Sequence, residues 1–381
     1  MLEMSAKIAF RNGIPDGVYT IWESDYCPDQ LKSSRILLVR NSLSAPVSGY
    51  AGYFISDDIK FVSAENTAVL PPNLAYLSQG DIISIRNGKS LRFLVRPSWH
   101  HNSILLTERC NHYCLMCSQP PKAIDDDWIL DETLDLLTKI PTTLSSLGFT
   151  GGEPTLYGDK FIHLIKQCKK WLPQTGIHVL SNGRSFSDKS FAKKLAAIEH
   201  FDLMLGIPLY SSDPARHDYI VQANGAFDET VRGIVNLKEQ NIPVELRVVL
   251  HKQSLPTLCD LAEYISRNLL FVDQVALMGL EMIGFTRANL DALWIDPYDY
   301  RDELSKAVEI LNSYGIRTMV FNHQLCTVKK NVREFCVKSI SEWKNEYVPE
   351  CKGCTRSHEC GGFFASGAKH GYSAHIKPLT D

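Results

Sequence analysis

"SILLTERCNHYCLMC", residues 103–117, runs from a β-branched apolar stretch directly into three cysteines within eight positions. In α/β sheets the loops at strand C-terminal ends carry the chemistry, so a strand that stops at a thiol-rich loop locates a site as well as a fold. Downstream the same rhythm repeats as strand, loop and amphipathic helix. The strand candidates are SILLT (103–107), SSLGFT (145–150), GIHVLS (176–181), FDLMLGI (201–207), PVELRVVL (243–250) and DQVALMG (273–279), with IRTMVF (316–321) as a seventh. Between them, residues 131–140, 160–172, 190–198, 229–240 and 255–269 carry apolar positions at helical spacing, and a further helix is expected around 298–314. Repeated strand–helix alternation predicts a parallel sheet with right-handed crossovers, closed fully or partly into a barrel.

The first hundred residues read differently. Short β-branched and aromatic runs separated by Gly, Asn, Asp, Ser and Pro predict a β-rich domain, and Asn87-Gly88 predicts a hairpin turn within ISIRNGKSLRFLV. A peptide-docking sheet and a purely structural domain both fit these residues. The expected organisation is a β-rich domain at 1–100, a partial (β/α)6 barrel at 101–320 and a cysteine-rich region at 321–381.

The chain has 381 residues, 44% of them hydrophobic, and a formal net charge of -3. That balance provides no basic field for a nucleic-acid backbone, and no apolar run approaches a membrane-spanning length. A cytoplasmic protein without nucleic-acid or membrane partners is expected. Eleven cysteines in a reducing compartment point to metal or redox chemistry more than to disulfides. Cys27, Cys168 and Cys259 stand alone and read as small buried hydrophobes.

Cys110, Cys114 and Cys117 have C-x3-C-x2-C spacing. Thiolates suit zinc and iron–sulfur clusters. A structural site closes with a fourth protein ligand, whereas a reactive metal keeps a position open. His112 is the only local candidate for a fourth ligand, so three thiols without a fourth suggest an iron with a vacancy. Gly151, Gly152, Glu153 and Pro154 follow the second strand, where glycines let backbone approach a ligand closely. Ser181 and Asn182 end the third strand. Arg247, Glu281 and Arg287 lie at later strand ends or in the following loops, where each reads either as a site residue or as ordinary surface charge. Near the C-terminus, Cys351, Cys354 and Cys360 form C-x2-C-x5-C, and Cys336 or Cys326 can supply a fourth thiolate, closing a cluster or a zinc site.

These motifs resemble the radical S-adenosylmethionine enzymes. The resemblance implies a [4Fe-4S] cluster on Cys110, Cys114 and Cys117 whose open iron binds S-adenosylmethionine, and a 5'-deoxyadenosyl radical that abstracts hydrogen from substrate. Gly151, Gly152, Glu153 and Pro154 match the family's GGEP segment, and Ser181 and Asn182 fall where the family contacts its cofactor. Met116 stands where the family usually has an aromatic residue, and its thioether can pack on adenine. The C-terminal cysteines resemble auxiliary-cluster extensions. LLTERCNHYCLMCSQPP, GLEMIGFTRANLDALWIDP and the stretch from Cys326 to Ser366 resemble the maturase of the His-Xaa-Ser repeat peptide system. That implies a ribosomally made peptide substrate, a second radical S-adenosylmethionine maturase as partner, and a flavodoxin or ferredoxin as electron donor. A formylglycine-type maturase and a zinc-stabilised peptide-binding protein are the alternatives.

Overall fold

The structure is a computed structural model and describes every residue except 1–3, 9, 11, 12, 25, 41–47, 56–65, 339–345 and 381. The chain divides into two units. One comprises Met1–Ile104, Asp127–Leu147 and Gln167–Gly176; the other comprises Leu105–Asp126, Gly148–Lys166 and Ile177–Asp381.

The first unit holds β1 (Ser5–Lys7), β2 (Gly17–Trp22), helix α1 (Asp29–Lys32), β3 (Arg35–Val39), β4 (Gly52–Ile55), β5 (Thr67–Val69), β6 (Ile82–Arg86) and β7 (Ser90–Val95). They form one sheet in the order β1-β7-β6-β2-β3-β4-β5. Asn87 and Gly88 take φ of 52° and 58° and turn β6 back antiparallel onto β7, as the Asn-Gly pair predicts. The run β2 to β5 is parallel. Composition predicted strands here but not their direction. Ile21, Ile36, Phe54, Leu74, Ile83 and Leu91 are fully buried in its core. Helix α2 (Asp127–Leu137) belongs to this unit. Its Trp128 ring lies 3.5 Å from the Arg86 guanidinium and 4.9 Å from that of Arg92, which also pairs with Glu132.

The second sheet runs β8 (Asn102–Leu105), β9 (Ser146–Thr150), β10 (Gly176–Leu180), β11 (Leu203–Pro208), β12 (Val244–Leu250), β13 (Gln274–Gly279), β14 (Thr318–Phe321) and β15 (Cys336–Val337). Their spatial order is their sequence order, and β10 to β15 pair parallel throughout. This is an α/β fold whose curled parallel sheet makes a partial barrel, as the strand–helix rhythm predicts. The crossovers carry α3 (Asp159–Trp171), α4 (Lys189–Ala196), α5 (Pro214–Val221), α6 (Ala226–Glu239), α7 (Leu258–Asn268), α8 (Phe285–Ala288), α9 (Leu290–Leu293) and α10 (Arg301–Ser313), with α11 (Ala365–His370) near the end. Seven parallel strands were expected and the two-residue β15 is an eighth. Helix α5 was not expected either, although Asp213 caps it through Ala215 N–H and Pro214 opens it. Among the described residues no helix is long and apolar enough to cross a membrane.

Candidate active site

The three-cysteine loop follows β8 and is fastened at both ends. At its start, buried Asp126 accepts from the Thr107 hydroxyl at 2.9 Å and from Glu108 N–H at 2.5 Å, and pairs with Arg109 Nε at 2.8 Å. At its far end, Tyr113 and Leu115 N–H donate to the Val221 and Ile220 carbonyls at the end of α5, 3.0 Å each. A second clamp comes from the segment after β13. Phe285 N–H donates to Cys117 O at 2.8 Å, the Thr286 hydroxyl to Met116 O at 3.1 Å, and Asn289 Nδ2 to Leu115 O at 2.9 Å. Gly284 makes that approach feasible, because a Cβ there would sit 2.2 Å from Cys117 O and its φ is +57°.

The glycines of residues 151–154 are required in the same way. A Cβ on Gly152 would meet Arg109 O at 2.0 Å and Cys110 Cβ at 3.1 Å. Gly152 N–H donates to Thr107 O and Glu153 N–H to Arg109 O, both at 2.7 Å, so the two loops lie backbone to backbone. Glu153 is wholly buried and its carboxylate is filled by protein donors. One oxygen accepts from Thr155 N–H at 2.9 Å, the Thr155 hydroxyl at 2.5 Å and the Ser181 hydroxyl at 2.8 Å; the other accepts from Asn182 N–H at 2.6 Å. Burial pushes this carboxyl up while those donors oppose the shift. Pro154 opens the following turn and is buried. Asn182 Nδ2 donates to Asn111 Oδ1 at 2.6 Å, and Arg184 Nη1 to Asn111 O at 3.1 Å, which ties the loop after β10 to the cysteine loop. The structure therefore brings together the loops after β8, β9 and β10, and uses the Glu153 side chain as the pin between the last two.

The thiols themselves are free and partly buried. Burial pushes Cys110 up to about 12 and raises Cys114 and Cys117. Charge on Cys117 raises both Cys110 and Cys114, so the three sulfurs feel one another. A cationic centre is what reverses such shifts, since a coordinated thiol is deprotonated outright. Zinc at about 2.3 Å from each sulfur would hold them about 3.8 Å apart. Among the described residues no group of three Cys, His, Asp or Glu is arranged to hold a single ion; three thiols are a donor set that iron–sulfur clusters accept. His112 is 3% exposed, with Nδ1 4.0 Å from Cys114 Sγ and no protein partner for Nε2. Burial, with the nearby Arg184 charge, depresses it to about 3, so the ring is neutral.

Other candidates are placed as follows. Met116 is 7% exposed and packs with Tyr210, Ile220, Val221, Ala226 and Leu293. Arg247 pairs with buried Glu245 at 2.5 Å, whose second oxygen accepts from Gln274 Nε2. Arg287 is exposed on α8. Glu281 lines an open cleft with Leu280, Trp294, Tyr300, Phe363 and Tyr372. This cleft lies beyond the C-terminal ends of β12, β13 and β14. Cys326, Cys336, Cys351, Cys354 and Cys360 are free and partly buried. Sequence reasoning missed the clamp from α5 and from Gly284 to Asn289; only Asp213-Pro214 and the glycine itself carried a signal.

Residues 104–265 match the radical SAM superfamily and form a radical SAM domain, which implies a [4Fe-4S] cluster and S-adenosylmethionine. The chain is 29% identical over 167 residues to the Fe-coproporphyrin III synthase of Methanosarcina barkeri (strain Fusaro / DSM 804), covering 42% of this chain and 39% of that protein. It is 26% identical over 152 residues to a probable GTP 3',8-cyclase of Methanocella arvoryzae, covering 39% of this chain and 47% of that one. The chain thus spans less than half the length of these relatives. The solved structure "Native anSMEcpe with bound AdoMet" superposes with a TM-score of 0.51 at 15% identity, over 72% of this chain and 91% of that one, a likeness of fold.

Proposed function

We propose that this protein is a radical S-adenosylmethionine enzyme that modifies a ribosomally made peptide, with a His-Xaa-Ser repeat peptide as substrate and a second maturase as partner. The observation that carries the reading is the three-thiol loop fastened among the loops after β8, β9 and β10, with a separate open cleft beyond β12 to β14. Cys110, Cys114 and Cys117 would hold the cluster, which with S-adenosylmethionine and an electron from a flavodoxin- or ferredoxin-type donor would supply radical abstraction of a hydrogen atom from the peptide.

The chain's own residues act by position. Gly151 and Gly152 keep backbone against the cysteine loop, Glu153 fixes Ser181 and Asn182, and the neutral His112 adds no charge beside the thiols. The cleft supplies aromatic and aliphatic walls, suited to a flat side chain such as that of histidine. Support for a peptide comes also from a fold neighbour, solved as "Native anSMEcpe with bound AdoMet and Cp18Cys peptide" with a TM-score of 0.50. Cys351, Cys354 and Cys360 with a fourth thiol hold an auxiliary cluster.

The test is anaerobic. Wild type with S-adenosylmethionine and dithionite is expected to form 5'-deoxyadenosine, and the Cys110, Cys114, Cys117 triple alanine variant none. Trp294→Ala is expected to keep 5'-deoxyadenosine formation while abolishing the mass change of a synthetic His-Xaa-Ser repeat peptide. Zinc in place of iron, without cofactor cleavage, overturns the enzyme reading.

A further inference from the structure

Five thiols stand near the C-terminus where a closed cluster takes four. Cys351 and Cys354 share a tight turn, with Cys354 N–H donating to Cys351 O at 3.1 Å. The Tyr347 hydroxyl reaches the Ser357 and Cys360 carbonyls at 2.8 and 2.7 Å, so the loop to Cys360 is held. An antiparallel bridge between Glu346 and Phe363 closes that loop behind it. Cys326 and Cys351 pack against the same apolar group, Val348, Phe363 and Ile376.

The end of the chain folds over these sulfurs. Leu379 N–H donates to Cys354 Sγ at 3.4 Å, and Leu379 O accepts from Thr355 N–H and its hydroxyl, 2.9 Å each. Cys326, Cys351 and Cys354 are thus brought together by one apolar group, one turn and the returning tail, and Cys360 by the loop that Tyr347 holds.

Cys336 stands apart. It is the first residue of β15, paired with Val320 of β14. Paired residues of parallel strands project to the same face. Val320 is 1% exposed, while its neighbours Met319 and Phe321 on the opposite face are half-buried. Cys336 therefore lies on the same face as Val320, with its Sγ 3.6 Å from Val332 O, and is not part of the apolar group that holds Cys326 and Cys351.

We infer that Cys326, Cys351, Cys354 and Cys360 are the ligands of the auxiliary site, that a tail amide donates to one of its sulfurs, and that Cys336 lies outside it. This assignment rests on the auxiliary-cluster reading above. Hydrogen bonds to cluster sulfurs tune the potential, so the tail belongs to the site and not merely to its surroundings.

The experiment starts from the full chain carrying Cys110, Cys114 and Cys117 as alanine, reconstituted anaerobically with iron and sulfide, so that only the second site remains. About four iron and four sulfide per chain are expected. Adding Cys336→Ala leaves that content unchanged; adding Cys326→Ala lowers it several-fold. Because an alanine variant can lose iron by misfolding, Cys326→Ser and Cys336→Ser are compared by electron paramagnetic resonance of the reduced cluster. An oxygen ligand shifts the spectrum of the first and leaves that of the second as in the parent. The opposite pattern, or two unaltered spectra, overturns the ligand assignment. A parent that takes up zinc or no metal overturns the auxiliary-cluster reading instead.

Discussion

Replacing Glu153 with Gln isolates what its buried carboxylate does. The wild-type group has only acceptors, three donors on one oxygen and one on the other. In Glu153→Gln, an NH2 placed on the second side faces Asn182 N–H at 2.6 Å, and flipping the amide makes it face Thr155 N–H at 2.9 Å. Hydroxyls rotate to accept, but a backbone N–H cannot, so either orientation leaves a buried donor facing a donor. Hydrogen bonds to a charged group contribute about 1.5–3 kcal/mol, and an unsatisfied buried donor costs a further 1–3 kcal/mol. The expected loss is roughly 3–5 kcal/mol, or about 4–6 °C in melting temperature for a chain of this length. The assay is thermal unfolding of the cofactor-free chain, with the Asn182 and Ser181 amides followed by hydrogen exchange. A melting temperature within about 1 °C of wild type, with loss of S-adenosylmethionine binding alone, would refute the reasoning and make Glu153 a cofactor ligand.

Gly284→Ala is expected to displace the Cys117 carbonyl, given the 2.2 Å contact and positive φ. The strain of about 1–2 kcal/mol falls on the cysteine loop, so iron uptake at the first site drops while the second site stays loaded. His217, His251 and His323 are buried and depressed by desolvation to about 4 each. The unfolded chain binds their protons first, so stability is full above pH 6.5 and falls as pH drops toward 4, by up to roughly 4 kcal/mol per unit for the three together. A melting temperature that stays flat from pH 7 to 5 contradicts this. Trp128→Ala removes the ring beneath Arg86 and Arg92, and is expected to lower the stability of the first unit by about 2 kcal/mol in chemical unfolding, with no change at the cysteine loop.

Much of this site was legible because its chemistry is written in residue types. Three cysteines after an apolar strand, two glycines after the next, and a Ser-Asn pair after the third each announce a special backbone or a special atom, and the structure places all three loops together. The clamp was not legible, since Ile220 and Val221 contribute only carbonyls and any residue has one. The parallel run β2 to β5 was hidden for a related reason: short β-branched strands read alike in either direction, and only α1, four residues long, separates β2 from β3. Glu153 shows the reverse case, a residue singled out for cofactor binding whose side chain serves the protein's own loops.

The clamp has a consequence for synthesis. Thr286 and Asn289 lie 170 and 174 residues beyond the loop positions they hold. At about 5–20 residues per second, a ribosome needs roughly 10–30 s to make that interval. During this time Cys110, Cys114 and Cys117 have left the tunnel without the contacts that shape their loop. Until residue 289 emerges the cysteine loop lacks this clamp, and oxidants present in that window meet thiols the finished fold partly shelters.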